Sequence, residues 1–106
     1  MTTNREQHEL AARAAGLLLL WKTGSCKGGE FEAAFVGDQP WRPKEDDGDA
    51  FRLSVMLHMD FTLSGRHAAV AQAGCSLAQE FCNGDTYAAA RLAIFRVAVE
   101  IGKAMP

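Results

Sequence analysis

The sequence TYAAARLAIFRVAVEIGK, residues 86–103, decides the predicted fold. Its apolar side chains recur at helical spacing, and Arg96, Glu100 and Lys103 form one polar stripe. The recurring apolar positions are Ala90, Ile94, Val97, Ala98 and Ile101. Asp85 is placed to cap the helix, because an aspartate side chain accepts hydrogen bonds from the free N–H groups of a first helical turn. The sequence therefore predicts a long helix that other elements cover over much of its surface.

A second helix is predicted from the sequence DDGDAFRLSVML, residues 46–57. Asp46 or Asp47 is expected to cap it, and the carboxylates stand at the positive end of the helix dipole. The face expected to meet a sheet consists of Ala50, Leu53, Ser54 and Leu57, widened by Phe51 and Val55.

The first helix is predicted over residues 2–15. The residues in capping-box positions are Thr3 or Asn4 and, three residues later, Glu6 or Gln7. Gly16 is a natural stop, since glycine readily adopts the left-handed conformation found just after helices.

Five short segments are predicted as strands, and the last three have the weaker pattern because alanines at positions 68, 69, 71 and 73 are poor strand formers. The five segments are residues 17–21, 30–36, 59–63, 66–72 and 75–81. The first two form a hairpin around a glycine-rich turn at residues 22–29, and short connections favour antiparallel pairing. The sequence thus predicts a single α+β domain over residues 1–106. One antiparallel sheet of four to five strands packs with three helices, in the order helix, two strands, helix, two or three strands, helix.

Composition and charge exclude several classes of protein. With 48% hydrophobic and 23% charged residues, the 106-residue chain is not disordered or fibrous. A formal net charge of −2 argues against nucleic acid or an anionic membrane as a partner. Three cysteines leave at least one thiol unpaired, which favours a reducing, cytoplasmic compartment. The apolar run at residues 14–21 lacks the positive flank of a signal peptide and is shorter than the roughly 20 residues of a membrane span.

An acidic cluster is the densest charged feature of the sequence. It consists of Glu45, Asp46, Asp47 and Asp49. Carboxylates can bind a divalent cation, but the acids are adjacent rather than alternating, and Leu57 stands where a calcium loop needs a glutamate. Helix capping is therefore the interpretation that we favour.

Cysteine and histidine residues offer two further candidates. Cys75 and Cys82, with His58 or His67, could hold a metal, but the cysteine spacing is not that of a zinc knuckle. Cys26, beside a lysine in a glycine-rich loop, could be a reactive thiol, yet no motif supports this. We expect packing roles for the cysteines, and no catalytic residue, metal or cofactor.

Trp41, Arg42 and Lys44 are the best candidates for a binding site. An aromatic side chain followed closely by basic ones can stack on a base or anchor a protein partner. The alternative is that Trp41 packs its own loop onto the third helix, and we favour that alternative.

Three stretches of the chain resemble a known group of proteins. They are WRP at residues 41–43 followed by DDGDAFRL at 46–53, DTYAAAR at 85–91 with VEIGKAM at 99–105, and the opening ELAARAAG at 9–16. The chain is similar to small uncharacterised proteins of tailed bacteriophages and prophages, which resemble the phage α-β-α sandwich group. Arg42 stands where asparagine is usual, and residues 22–29 have no counterpart. The resemblance implies a fold and a phage or prophage setting, and no catalytic residue.

We therefore expect a non-enzymatic protein-interaction module that acts on a host or phage macromolecule through Trp41, Arg42 and Lys44. The alternative is a module that binds a nucleotide or single-stranded nucleic acid on its sheet face, which requires exposed aromatic and basic side chains on one surface. A small thiol- or metal-dependent enzyme is a third hypothesis, and it would need a cleft where a histidine, a thiol and a carboxylate converge. An uncovered apolar face on the long helix would favour a homodimer.

Overall fold

The computed structural model describes residues 3–26, 29–64, 68–74, 76–82 and 84–105. Within these ranges the three helices are α1 (Asn4–Ala15), α2 (Asp47–Met56) and α3 (Thr86–Ala104). The strands are β1 (Leu20–Cys26), β2 (Gly29–Val36), β3 (Gln39–Pro40), β4 (Asp60–Ser64), β5 (Ala68–Ala73) and β6 (Ser76–Phe81). All neighbouring strands pair antiparallel. The predicted α+β class and the order of the helices and strands are confirmed, with the two-residue β3 in addition.

The helix ends follow the predicted capping residues. The Thr3 hydroxyl accepts a hydrogen bond from the backbone N–H of Glu6 at 3.1 Å, and the Glu6 carboxylate accepts one from the Thr3 N–H at 3.4 Å. This pair is a complete capping box. Gly16 ends α1 in the left-handed conformation at φ 72°. The expected aspartate caps of α2 and α3 are also confirmed, at Asp46 and Asp85.

The strands divide into two three-stranded sheets, whereas the sequence predicts one. Sheet A has the order β1-β2-β3, and sheet B has the order β4-β5-β6. Sheet A lies against α1, where the rings of His8 and Trp21 meet edge-on, while sheet B lies against α3. The Trp41 N–H still donates to the backbone oxygen of Ala34 at 2.8 Å; after Trp41 the chain leaves sheet A and forms α2 before sheet B begins. Each sheet therefore has its own helix, and α1 and α3 pack against each other.

The first hairpin is confirmed, but its first strand lies further along the chain than predicted. β1 pairs with β2 from Leu20 opposite Phe35 to Cys26 opposite Gly29. The predicted strand at residues 17–21 therefore begins too early, and residues 22–26 of the predicted turn belong to β1, because the two strands stay paired as far as Cys26 and Gly29. Residues 27–28 of the predicted turn, and residues 66–67 and 75 of the later predicted strands, lie outside the described part of the chain.

Sheet B presents alanine side chains to α3. Ala69, Ala71 and Ala78 are buried, although alanine is a poor strand former. Their small side chains let the helix lie close to the sheet, and Phe95 and Val97 of α3 are fully buried in the same core. Packing against the helix therefore outweighs strand propensity in this part of the fold.

α1 and α3 approach each other most closely at Gly102. A Cβ atom built on Gly102 would lie 2.0 Å from the backbone oxygen of Leu10 and 2.6 Å from its carbonyl carbon. Ala11 and Ala98 are completely buried in the same core. Only a residue without a side chain fits at position 102, since the obstructing atoms belong to the backbone of a helix.

α2 packs mainly against α3 and not against a sheet. Ala50, Leu53 and Ser54 are buried as predicted, but Phe51 and Val55 are 67% and 55% exposed. The expectation that Phe51 and Val55 widen the buried face is therefore wrong. α2 is only ten residues long and is covered on one side, so its outer side chains remain at the surface.

We predict that Gly102→Ala lowers the free energy of unfolding by about 2–3 kcal/mol, because the new methyl group overpacks the helix crossing. At an unobstructed helix position the same change would raise stability by up to about 1 kcal/mol. Urea unfolding followed by circular dichroism measures the difference. Lys103→Ala, at the exposed neighbouring residue, serves as the control and should stay within about 0.5 kcal/mol. A stabilised Gly102→Ala variant would contradict the close crossing.

Candidate functional site

The acidic cluster holds the loop at residues 41–46 onto the start of α2. Asp46 accepts a hydrogen bond from the Asp49 N–H at 2.8 Å. The buried Asp49 carboxylate in turn accepts one from the backbone N–H of Arg42 at 2.9 Å and one from Arg52 Nη2 at 2.6 Å. These carboxylates are thus committed to the fold, and the predicted capping role is confirmed.

Arg91 connects the same loop to α3. Its Nε donates to the backbone oxygen of Lys44 at 2.9 Å, and its Nη1 lies 2.6 Å from Asp47 Oδ1. The side chain is only 17% exposed. Sequence reasoning did not single out Arg91, which lies outside the predicted polar stripe of Arg96, Glu100 and Lys103.

The structure separates the three residues of the predicted binding patch. Trp41 is 6% exposed and belongs to the core, whereas the Arg42 side chain is exposed. Lys44 is half-buried, with Nζ 3.5 Å from Asn4 Oδ1 and 5.6 Å from the centre of the Phe95 ring. Burial of Trp41 supports the interpretation in which it packs its loop. A contact made by Arg42 and Lys44 stays a prediction.

Trp41 is part of an aromatic cluster around His8, at the meeting point of α1, sheet A and α3. The His8 ring lies 6.1 Å from Trp21, 6.0 Å from Trp41 and 4.8 Å from Phe95 between ring centres. The Arg5 guanidinium lies over the Trp21 ring at 4.9 Å. Only the indole N–H of Trp21 is a buried side-chain polar atom without a partner in the described part of the chain. The cluster is therefore a packing centre between three elements.

Burial lowers the pKa of His8 from its usual value near 6.5. The backbone oxygen of Asn4 accepts a hydrogen bond from Nδ1 at 2.7 Å and acts in the opposite direction. Nearby Lys44 lowers the pKa further, and Glu45 raises it. His8 is therefore held in its neutral form, with the proton on Nδ1, because a carbonyl oxygen can only accept.

A cleft of about 550 Å³ lies between β3 and α2, beside Arg42. Its apolar surface comes from Val36, Pro40 and Leu53, and its charged groups include the carboxylates of Asp46 and Asp49. Arg52, the second cation here, is already paired with Asp49. Opposite charges therefore balance in this cleft, which gives it no preference for an anion.

A second cavity, of about 510 Å³, runs between α2 and α3 and is bordered by β4. We call it the α2–α3 groove and define it by Ala50, Phe51, Val55, Phe61, Tyr87 and Ile94. Ala50 and Ile94 are buried and form its floor. Phe51, Val55, Phe61 and Tyr87 are 67%, 55%, 42% and 72% exposed. Four large apolar side chains thus stand at the surface around one cavity.

The candidate cluster of cysteine and histidine residues lies only partly within the described residues. Cys82 is a half-buried free thiol, and His58 is exposed at φ 52°. Cys75, His67 and the side chain of Cys26 lie outside the described residues. In the ranges that the structure describes, no three His, Cys, Asp or Glu side chains are grouped as metal ligands. No helix in those ranges has the length and apolarity to span a bilayer.

Comparison of the chain with protein-family models, with curated proteins and with solved structures finds no match. Function has to be inferred from the residues themselves.

We predict that Asp49→Ala lowers the free energy of unfolding by about 2–3 kcal/mol, because the Arg42 N–H loses a charged acceptor. Asp47→Ala is the matched control: Asp47 is itself exposed, and removing its ion pair should cost about 1 kcal/mol or less. Chemical denaturation of both variants measures the two effects. Equal losses would show that Asp49 does not anchor the loop.

We predict that His8 makes the protein less stable as the pH falls below about 6.5. The unfolded chain binds the proton more readily than the folded protein, so acidification favours unfolding until the folded-state pKa is passed. The loss reaches at most about 1.4 kcal/mol per pH unit. Urea unfolding between pH 7.5 and pH 5 should show this slope in the natural chain and in the exposed-site control His58→Asn. It should be absent in His8→Gln, and a slope that persists there would contradict the assignment.

Proposed function

We propose that this protein is a non-enzymatic interaction module that binds another protein at the α2–α3 groove. The observation that supports this is the collection of Phe51, Val55, Phe61 and Tyr87 around one cavity. Single exposed apolar residues are common on protein surfaces, but a contiguous group marks an interaction site. Taking ~200 Å² for an exposed aromatic side chain, the group presents roughly 400 Å² of apolar surface.

The groove is a better candidate for a protein interface than the predicted patch at Trp41. Binding energy at interfaces concentrates in aromatic side chains that a partner can bury. Tyr87 and Phe51 are available for such burial, whereas Trp41 is already buried by its own chain. Arg42, exposed on the β3 side of α2, can contribute at the edge of a larger interface.

We further propose that the protein is encoded by a phage or prophage, is cytoplasmic, and acts on a host or phage macromolecule. This rests on the resemblance of residues 41–53 and 85–105 to small phage proteins. In the structure those two segments are joined by Arg91, which bonds both to the loop and to Asp47. The resemblance thus falls on residues that build the fold, while the groove side chains Phe51 and Tyr87 lie within the same two segments.

Binding of a nucleotide or of single-stranded nucleic acid is the second candidate. One observation favours it: on sheet A, Lys22 Nζ lies 4.3 Å from the centre of the Phe35 ring. On sheet B the aromatic Phe81 is exposed, but its strand partner Ala68 brings no positive charge. A single basic and aromatic pair is a small platform, because strand-binding surfaces combine a basic groove with several stacking rings.

We predict that a fluorescein-labelled oligothymidine gives a flat anisotropy titration with this protein at low salt, because no basic groove is present on the described sheets. A saturable rise that Lys22→Ala abolishes would replace the protein-interaction proposal with the nucleic-acid one.

We predict that Phe51→Glu weakens binding of the natural protein partner at least about tenfold while leaving stability within about 0.5 kcal/mol, since the side chain is exposed. A photo-cross-linking amino acid at Val55 of the full chain, used in cells that carry the gene, identifies the partner. Affinity is then measured with both purified proteins. Leu18→Glu, at a residue that is 78% exposed and far from the groove in sequence, is the control and should bind normally. Equal affinities for Phe51→Glu and the natural chain would contradict the proposal.

A further inference from the structure

The α2–α3 groove offers very few hydrogen-bonding groups to an occupant. Both long walls are helices, whose backbone N–H and C=O groups are bonded within the helix. The hydroxyl of Ser54, which also lines the cavity, donates to the backbone oxygen of Phe51 at 2.7 Å. Asp47 and Arg91, at the rim, are paired with each other. His58 and the hydroxyl of Tyr87 are the other polar side chains of the lining, so an occupant has to satisfy most of its own backbone.

Among the common modes of peptide recognition, a helix meets this requirement fully, because all of its central backbone groups are bonded within the helix. An extended peptide depends on main-chain hydrogen bonds to a neighbouring strand; β4 is an edge strand of sheet B, but Phe61 is its one residue in the lining, and the helical walls provide no such bonds. A helix satisfies its backbone internally and uses only its apolar face. We propose that the α2–α3 groove binds an amphipathic α-helix of another protein, a proposal that rests on the protein-binding function given above.

The spacing of the wall residues supports this occupant. Phe51 and Val55 are four residues apart on α2, and Tyr87 and Ile94 are seven apart on α3, so each wall is a row of side chains at helical intervals. Rows of this kind interdigitate with side chains at positions i, i+4 and i+7 of a third helix. The small Ala50 on the floor leaves room for one such side chain.

The size of the surface argues against a second copy of the chain as the occupant. A stable interface buries about 800 Å² on each partner, whereas the exposed side chains of the groove present roughly half of that. One face of a short helix matches the smaller area. A homodimer is therefore a competing outcome of the experiment below.

Charge around the groove favours a basic helix. Asp60 directly precedes Phe61, Asp85 lies two residues before Tyr87, and both are exposed. Successive side chains of a strand point to opposite faces, so Asp60 points away from Phe61, and Asp47 and Asp85 set two carboxylates against the one guanidinium of Arg91 near this surface. Lysine or arginine on the flanks of the bound helix would complement this excess, and binding should weaken with salt.

The test uses the ¹⁵N-labelled full chain and designed, lactam-locked peptides of about four helical turns. The first peptide carries leucines at positions i, i+4 and i+7 with lysines on its flanks. The second replaces lysine with glutamate, and the third has the composition of the first with its apolar face scrambled. We expect the basic peptide to cause saturable shift changes confined to α2, β4 and the first half of α3. The acidic peptide should bind at least about threefold more weakly, and the scrambled one should cause no saturable change.

Two variants make the result specific. Val55→Asp should abolish the shift changes, and Leu18→Asp, an equally polar change at another exposed apolar residue, should leave them intact. The proposal is overturned if no peptide saturates up to about 1 mM, if the scrambled peptide binds equally well, or if the changes map elsewhere. Sedimentation of the peptide-free chain as a dimer that Val55→Asp dissociates would assign the groove to a second copy instead.

A further experiment distinguishes failure of the proposed function from failure of the proposal that the occupant is a helix. Suppose the partner cross-linked at Val55 binds the purified chain and loses affinity with Phe51→Glu, so that the interaction function holds. A proline introduced in the middle of its contacting segment should then reduce affinity at least about tenfold, since proline breaks a helix. Unchanged affinity would overturn the helix and leave the function standing. Absence of any partner that depends on the groove would overturn the function itself.

Discussion

The fold depends on how closely α1 and α3 approach each other at Gly102. The backbone oxygen of Leu10 occupies the space where a side chain at position 102 would begin. On its other side α3 rests on the alanines of sheet B, so small residues set the packing distance on both faces of one helix. This arrangement makes α3 the element that α1, α2 and sheet B all contact. It also separates sheet B from sheet A, which packs on α1 through Trp21 and His8.

The exposed groove is a consequence of the same arrangement. With two sides of α3 taken by α1 and sheet B, the remaining contact is with the short helix α2. The loop before α2 is fixed by the buried Asp49 carboxylate and by Arg91, so α2 is held at its beginning, and none of the helices and strands described here covers its outer side. Phe51 and Val55 remain uncovered for that reason. A partner that buries them would complete a layer that this chain leaves open.

Local features of the fold could be predicted from the sequence, and features set by distant contacts could not. The capping box at Thr3, the caps at Asp46 and Asp85 and the left-handed Gly16 depend on neighbouring residues, whose geometry is the same in any fold. The division into two sheets depends on which strand meets which helix, and helical or alternating patterns carry no such information. Phe51 and Val55 show the limit of sequence patterns most clearly. An apolar residue on a helix gives the same sequence pattern whether its own chain or a partner buries it.

The candidate site illustrates the same division. The aromatic and basic character of Trp41, Arg42 and Lys44 is visible in the sequence, but the direction in which Trp41 points depends on His8, far away in the chain.

Packing of α3 that leaves the α2–α3 groove open can be measured in solution with a soluble paramagnetic cosolute, which broadens the NMR signals of exposed side chains. The signals of Phe51, Val55 and Tyr87 should broaden strongly, while those of Trp41 and Phe95 should be protected. Equal protection of the groove and the core would contradict the packing described here.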